Sequence, residues 1–291
     1  MIDQAGDVLA SDRRPTLGGG DGEALFDSLA DLCQSVIGDY QIGAIGVGCG
    51  GPMRYPAGIV SPLNIPAWQE FPLRERLAER FARPCVVDND AKALALGERW
   101  RGAGRGSNNM LGMVVSTGVG GGIILDGRLL HGFAGNGGHI GHIIVWPGGP
   151  LCGCGARGCV EGVASGTGLV RRLTEALARG RTTSLEPGAS AVDIAEAARA
   201  GDDLAQELYR TAGEAVGRGI ASAAALLDLE LVVIGGSIAL RAWDLLGPPL
   251  HAEVARSARL DFTRELRVVH AELGDTAGLL GAAVLAFDLL G

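Results

Sequence analysis

The stretch from Gly138 to Glu161, GHIGHIIVWPGGPLCGCGARGCVE, constrains the fold of this chain more than any other. Cys152, Cys154 and Cys159 fall within eight residues and alternate with Gly153, Gly155 and Gly158. Glycine has no side chain to obstruct a tight knuckle, so several sulfurs can turn inward together. His142 lies ten residues before the first cysteine. Three thiolates and one imidazole make the Cys₃His set that completes a tetrahedral structural zinc site. The plainer reading is a group of ordinary buried cysteines in a glycine-rich turn. A disulfide fits less well, because three closely spaced cysteines cannot all pair among themselves and the chain reads as intracellular.

The chain has 291 residues, enough for one large domain or two ordinary ones. With 47% apolar and 20% charged residues it reads as a soluble globular protein with a large core, and its 48 glycines call for many tight turns and close backbone approaches. The net charge of −8 and the lack of any long Lys/Arg block argue against a nucleic-acid surface; only Arg99 to Arg105 is locally basic. The first residues, MIDQAGDVLASDRRPT, are polar and acidic where a signal peptide is basic and then apolar, and no uncharged run is long enough to span a membrane. With half of the six cysteines in the knuckle, the expected compartment is the cytoplasm.

Taken in order, Met1–Ile2 and Val8–Ala10 read as the ends of a hairpin, and residues 17–22 as a loop. Residues 23–37 carry an apolar stripe, Leu25, Phe26, Leu29, Leu32, Cys33 and Val36, at helical spacing, which places Cys33 in the core. A buried strand over 42–48 ends in Cys-Gly-Gly-Pro, at the end where α/β sheets usually bind ligands. A proline-rich loop around Asn64 and Trp68 leads to a helix over 73–81, and its fixed dihedrals suit a shaped surface.

A strand over 85–88 ends in Asn89-Asp90 before a helix over 91–101. Aspartate there is either an N-cap or a base with a hydrogen-bonding neighbour, suited to taking the proton of a hydroxyl. Strands over 110–115 and 123–125 flank Ser-Thr-Gly-Val-Gly-Gly-Gly, whose turn exposes backbone N–H groups that can cradle a phosphate. It is not a Walker loop, since no Gly-Lys-Ser/Thr follows. Helices are expected over 160–179, 191–201, 203–227, 243–258 and 277–290, with strands over 230–234 and 267–270. The first of these two strands ends in Gly235-Gly236-Ser237, a junction where backbone can approach an anionic or flat ligand closely.

The order of these motifs resembles the ROK family of bacterial sugar kinases and related repressors, and the resemblance covers essentially the whole chain. It implies an α/β protein of actin-like ATPase (ribonuclease H-like) fold, with two α/β domains and an interdomain cleft. One domain, residues 1–92 with 277–291, is the smaller sugar-binding unit; residues 93–276 carry the knuckle and the nucleotide elements.

By resemblance Asp90 is the base for the sugar's 6-hydroxyl. Gly51, Asn64, Asn89, His139, His142 and Glu161 contact the sugar. Thr117 and Gly118 form a phosphate turn, and Gly235 and Gly236 the adenosine junction. His142, Cys152, Cys154 and Cys159 bind structural Zn²⁺. The implied partners are a small sugar and ATP with Mg²⁺, no nucleic acid and no membrane, in a homodimer. A DNA-binding repressor would need a helix-turn-helix and a basic face, and neither is legible in the sequence.

Two departures modify the expectation. Most of the family has Glu where this chain has His139, which is similar to bacterial N-acylmannosamine kinases and opposes a plain glucokinase; apolar Ile65, Pro66 and Trp68 are candidates to pack on an N-acyl group. The family's opening strand with Asp-x-Gly-Gly-Thr, a phosphate loop and part of the Mg²⁺ site, has no counterpart in these residues. The leading expectation is therefore an ATP-dependent hexose kinase, and the alternative a non-catalytic sugar-binding protein.

Overall fold

The helix stripe and the two strands ending in glycine or asparagine build the first lobe. The computed structural model describes residues 1–16 and 21–291, so most of the loop expected at 17–22 lies outside the described residues. Helix α1 (Gly22–Ile37) is capped by Asp21, which accepts from Glu23 N–H, and it buries Leu25, Phe26 and Ala30. Strand β1 (Ile45–Cys49) is followed by a two-residue hairpin, β2 (Met53–Arg54) and β3 (Ile59–Val60), and by α2 (Leu73–Phe81). Strand β4 (Cys85–Asn89) runs parallel to β1, with Cys49 opposite Asn89, and leads straight into α3 (Asp90–Arg101).

The apolar residues of these elements close one small core around Phe26, Val60, Trp68, Phe71 and Leu77. The other edge of β1 faces a cavity of about 1160 Å³ lined by Val8, Leu29, Cys33, Val36 and Leu290 among others. Cys33 is thus half-buried at a cavity wall rather than enclosed in the core as its helical spacing predicts. The opening residues likewise differ from expectation: a single antiparallel bridge, Ile2 to Val8, stands in place of paired strands.

The second lobe is built on a five-stranded sheet of order β7-β6-β5-β8-β9. Its strands are β5 (Met110–Val115), β6 (Val119–Leu125), β7 (Arg128–Leu129), β8 (Leu231–Gly235) and β9 (Arg267–His270). The hairpin β5–β6 is antiparallel, while β5, β8 and β9 are parallel, and the central β5 and β8 are nearly continuous in apolar residues, as strands covered on both faces must be.

The helical run expected over 160–179 is broken in two, α4 (Val160–Ala164) and α5 (Gly166–Ala178), because Ser165 leaves helical geometry to cap α5 through Gly168 N–H. Then follow α6 (Ala191–Arg199), α7 (Asp203–Leu227), α8 (Ser237–Arg241), α9 (Trp243–Ser257) and α10 (Ala277–Phe287). Helices α4 to α9 cover one face of this sheet in a single core that includes Leu173, Tyr209, Ile220, Ile234 and Leu250.

Helices α3 and α10 form the layer between the two sheets. The contact is too close for ordinary side chains: a methyl group on Gly281 would lie 1.6 Å from the Ala93 carbonyl oxygen, and one on Gly46 of β1 would lie 1.7 Å from that of Ala282. On its opposite side α3 presses Ala95 against Gly112 of β5. The amino end of α3 therefore stands where the two lobes meet, with the residues that precede it at the carboxyl end of β4.

Candidate active site and metal knuckle

Three segments bring polar groups to the carboxyl ends of β1 and β4. Asn89 is the N-cap of α3, its side-chain oxygen accepting from Ala91 N–H at 3.0 Å. The cap role open to Asp90 by sequence thus belongs to its neighbour. Asp90 is the first helical residue, its Oδ1 accepting from the same Ala91 N–H at 2.8 Å. The surrounding protein displaces water from its carboxyl group and raises its pKa, opposed by hydrogen bonds from backbone N–H groups and by the nearby His139. A methyl group on Gly51 would sit 3.7 Å from Asn89 Nδ2 and 4.0 Å from His139 Cε1, so these three residues frame one small space. Asn64 closes its other side, with Oδ1 placed 3.3 Å from where a side chain on Gly50 would begin.

Not every residue singled out by sequence reaches it. Trp68 is 5% exposed, stacks on Phe71 with ring centroids 5.0 Å apart, and donates its indole N–H to Gly22 O. It belongs to the small-lobe core, so the expectation that it packs against an acyl group is withdrawn. Pro66 remains exposed on the loop and Ile65 is half-buried against that core.

The knuckle begins on a 3₁₀ turn, Ile140–His142, and closes by two isolated bridges, Ile144 to Cys159 and Leu151 to Arg157. Gly158 has φ +80°, and a methyl group there would lie 1.7 Å from Trp146 O, so only glycine allows the turn that brings Cys159 inward. One ligand atom from each of His142, Cys152, Cys154 and Cys159 lies within 4.8 Å of all the others. Cys154 Sγ is 3.8 Å from Cys159 Sγ, and Cys152 Sγ is 3.7 Å from His142 Nδ1. A tetrahedral centre with metal–sulfur bonds of about 2.3 Å has edges of about 3.8 Å, so the donor set fits such an ion without rearrangement. Burial pushes the Cys159 thiol up to about 12 and that of Cys152 upward, while the Ala156 N–H lowers Cys154. A cation among them would hold all three as thiolates.

Glu161 ties the knuckle to the glycine hairpin. Its Oε2 accepts from Val119 N–H at 3.0 Å, and its Oε1 lies 3.6 Å from Cys152 Sγ. Gly118 passes so close that an added methyl would meet Glu161 Oε2 at 2.9 Å. The phosphate-type turn and the metal set therefore share one carboxylate.

Across the cleft, Ser116 and Ser237 hydroxyls lie 2.8 Å apart, joining the β5–β6 turn to the β8–α8 junction. Gly236 has φ +96°, and a side chain there would strike Val115 O at 2.5 Å. Thr167 donates to Thr117 O at 2.9 Å, fixing the turn that carries Thr117 and Gly118. Sequence reasoning passed over Ser116, Thr167 and Ser237. Their signal, a hydroxyl beside each glycine turn, is too common to stand out without the fold.

A two-sheet α/β architecture with helices α3 and α10 packed between the sheets, and a carboxylate at the start of α3, defines a protein of the actin-like ATPase class. Within that class the match is specific. The model of the ROK family matches residues 1–288, and the chain belongs to the ROK family. Glucokinase of Thermotoga maritima is 34% identical, over 100% of this chain and 94% of its own length. N-acetylmannosamine kinase of Yersinia pestis is 33% identical, over 98% and 93% respectively. Among solved structures, a ROK hexokinase from Thermus thermophilus superposes with TM-score 0.84 at 35% identity, covering 97% of this chain and 92% of that one. A ROK glucokinase from Streptomyces griseus in complex with glucose and AMPPNP gives 0.82 at 32%, covering 99% and 94%.

Proposed function

We propose that this chain is an ATP-dependent hexose kinase. It transfers the γ-phosphoryl group of ATP to the 6-hydroxyl of glucose or a related sugar, in the cleft between residues 1–92 with 277–291 and residues 93–276. The observation that carries the reading is the meeting of Gly51, Asn89 and His139 around one open space at the amino end of α3, where Asp90 is the first helical residue, together with the hydroxyl-joined turns at Ser116 and Ser237 in the second lobe. The *S. griseus* relative, solved with glucose and AMPPNP, supports the same pairing of ligands.

In this reading Asn64, Asn89, His142 and Glu161 bind sugar hydroxyls. Asp90 accepts the proton of the 6-hydroxyl as its oxygen bonds to phosphorus, and the bond to the ADP oxygen breaks. Thr117, Gly118, Gly235 and Gly236 present backbone to the nucleotide. Mg²⁺, when bound, neutralises phosphate oxygens. Zn²⁺ is the structural ion of the knuckle and holds the pocket wall from behind rather than activating water.

ADP release measured with a panel of hexoses tests the assignment. The expected result is release that requires a sugar with a free 6-hydroxyl and none with the 6-deoxy analogue. Release unaffected by sugar, or supported by the 6-deoxy analogue, would remove it.

A second reading, an N-acylmannosamine kinase, is favoured by His139. Burial, together with the neighbouring His142 and Lys92 charges, lowers its pKa and keeps the imidazole neutral at neutral pH. A neutral ring replaces the anionic acceptor that a glutamate would offer. The 33% identical *Yersinia* kinase points the same way.

A further inference from the structure

The segment between β7 and His139 has a composition that gives it little rigidity of its own. Residues 131–138 include Gly132, Gly135, Gly137 and Gly138, and three of these four, Gly132, Gly135 and Gly138, have positive φ. The hydrogen bonds within it close on themselves: Gly137 N–H to His131 O, Gly135 N–H to Gly132 O and Asn136 Nδ2 to Ala134 O. Among the described residues, its one hydrogen bond to a distant element is from Lys92 Nζ to Gly135 O, at 2.7 Å.

Lys92 is an unusual anchor. It stands two residues after Asp90 on α3 and is 1% exposed. Its ammonium lies 3.1 Å from Asp88 Oδ1, and Asp88 is itself 0% exposed. The same Oδ1 accepts from Asn89 N–H at 2.7 Å, so one carboxylate oxygen fixes both the anchor and the backbone of the sugar-facing asparagine. The other oxygen, Oδ2, lies 3.2 Å from His131 Nδ1, a charge contact outside hydrogen-bond geometry, and neither of these two buried atoms has a hydrogen-bond partner. The Tyr55 ring stacks on His131 with centroids 4.4 Å apart, and its Cβ fills the space beside Gly135 where a side chain would otherwise stand. A buried ion pair contributes little net stability against an apolar substitute but specifies geometry where register matters. Here the register is that of a glycine segment against the residues flanking Asp90.

We propose that Asp88, Lys92 and His131 are positioning residues that lock the 131–138 segment, and with it His139, onto the Asn89–Asp90 junction, and so set the sugar pocket before the sugar arrives. The inference rests on the proposed kinase function for its kinetic consequence. Its structural core, the anchoring of the segment by this cluster, stands apart from that function.

The variants of choice are His131→Leu, which keeps an apolar neighbour for Tyr55 but leaves Asp88 Oδ2 alone, and His131→Asn, which restores a donor. Lys92→Met would strand a buried carboxylate and can fail to fold, so Asp88→Asn with Lys92→Met, which removes both charges, replaces it. Amide hydrogen exchange over residues 131–138 is measured in each without ligands, beside sugar KM and kcat. The expected result is exchange at least tenfold faster in His131→Leu and in the double variant, with sugar KM raised at least tenfold, kcat changed less than threefold, and His131→Asn returned to within threefold of the wild type. Unchanged exchange in both altered proteins would overturn the proposal, as would equal loss in His131→Leu and His131→Asn. If the wild type phosphorylates no sugar, the kinase reading fails, and the exchange measurement alone still decides the anchor.

Discussion

At the scale of single residues, the proposed chemistry rests on Asp90. Displacement of water raises its pKa above the ordinary aspartate range, so its proton is retained to a higher pH than in an exposed carboxyl group. A general base acts only when deprotonated. Turnover should therefore fall as the pH drops through a value above the ordinary aspartate pKa, and a pH profile of kcat/KM checks the sign. In the proposed function His139 bears on sugar preference rather than on rate. His139→Glu should shift kcat/KM toward glucose relative to N-acetylmannosamine by about tenfold, the change given by one altered hydrogen bond of roughly 1.4 kcal/mol, measured by competing the two sugars.

The residue scale also shows where sequence alone was sufficient. The place of Asn89 and Asp90 between a strand and a helix was legible because adjacent residues at a strand end remain adjacent in the fold. Lys92, Tyr55, His131 and Gly135 were not, since the hydrogen bond that unites the cluster spans 43 positions and no local pattern announces it. Trp68 was read on the wrong side of its loop, because composition does not say which face of an irregular segment meets the core.

Among the elements, the knuckle was the most legible, since its ligand spacing is local and its glycines are set by steric need. Structural zinc in such a site contributes folding free energy on the order of 10 kcal/mol in small zinc peptides. Cys154→Ser should lower bound metal and melting temperature together, and an unchanged melting curve with the metal lost would refute the structural role. The helix starts are a second test at this scale.

Asp202 caps α7 through Ala205 N–H and also accepts from Ser184 N–H, Ser184 Oγ and Thr183 Oγ1. Burial alone would raise its pKa, but these bonds outweigh it and hold the carboxyl group well below the usual range. A depressed pKa means that the contribution is complete above the ordinary aspartate pKa and is lost as the pH falls toward the folded value. Asp202→Ala should cost about 1–2 kcal/mol at neutral pH, a loss that shrinks in acid and is measurable by urea denaturation. The break at Ser165 was illegible for a related reason: a serine inside an apolar-periodic run is as compatible with a continuing helix as with a cap.

For the whole molecule, two lobes meet across α3 and α10, and the proposed function sets sugar groups on one side of that layer and nucleotide turns on the other. No described helix is long and apolar enough to cross a membrane. Two α/β lobes were foreseen through the family resemblance rather than from any local pattern. Their shared layer was not, since the match of Gly46 and Gly281 to carbonyl groups of α10 and α3 is a fact of packing. A cleft of this kind has to exclude water when both substrates are bound, otherwise ATP is hydrolysed in place of the sugar being phosphorylated.

The central claim, that Asp90 is the base of a sugar kinase assembled in this cleft, is tested most directly by Asp90→Asn. Sugar-dependent ADP release and calorimetric sugar binding are measured on the same preparation. Release is expected to fall by at least about a thousandfold while the sugar dissociation constant stays within about tenfold, because the amide still bonds a hydroxyl but cannot take its proton. Turnover retained within tenfold of the wild type would contradict it.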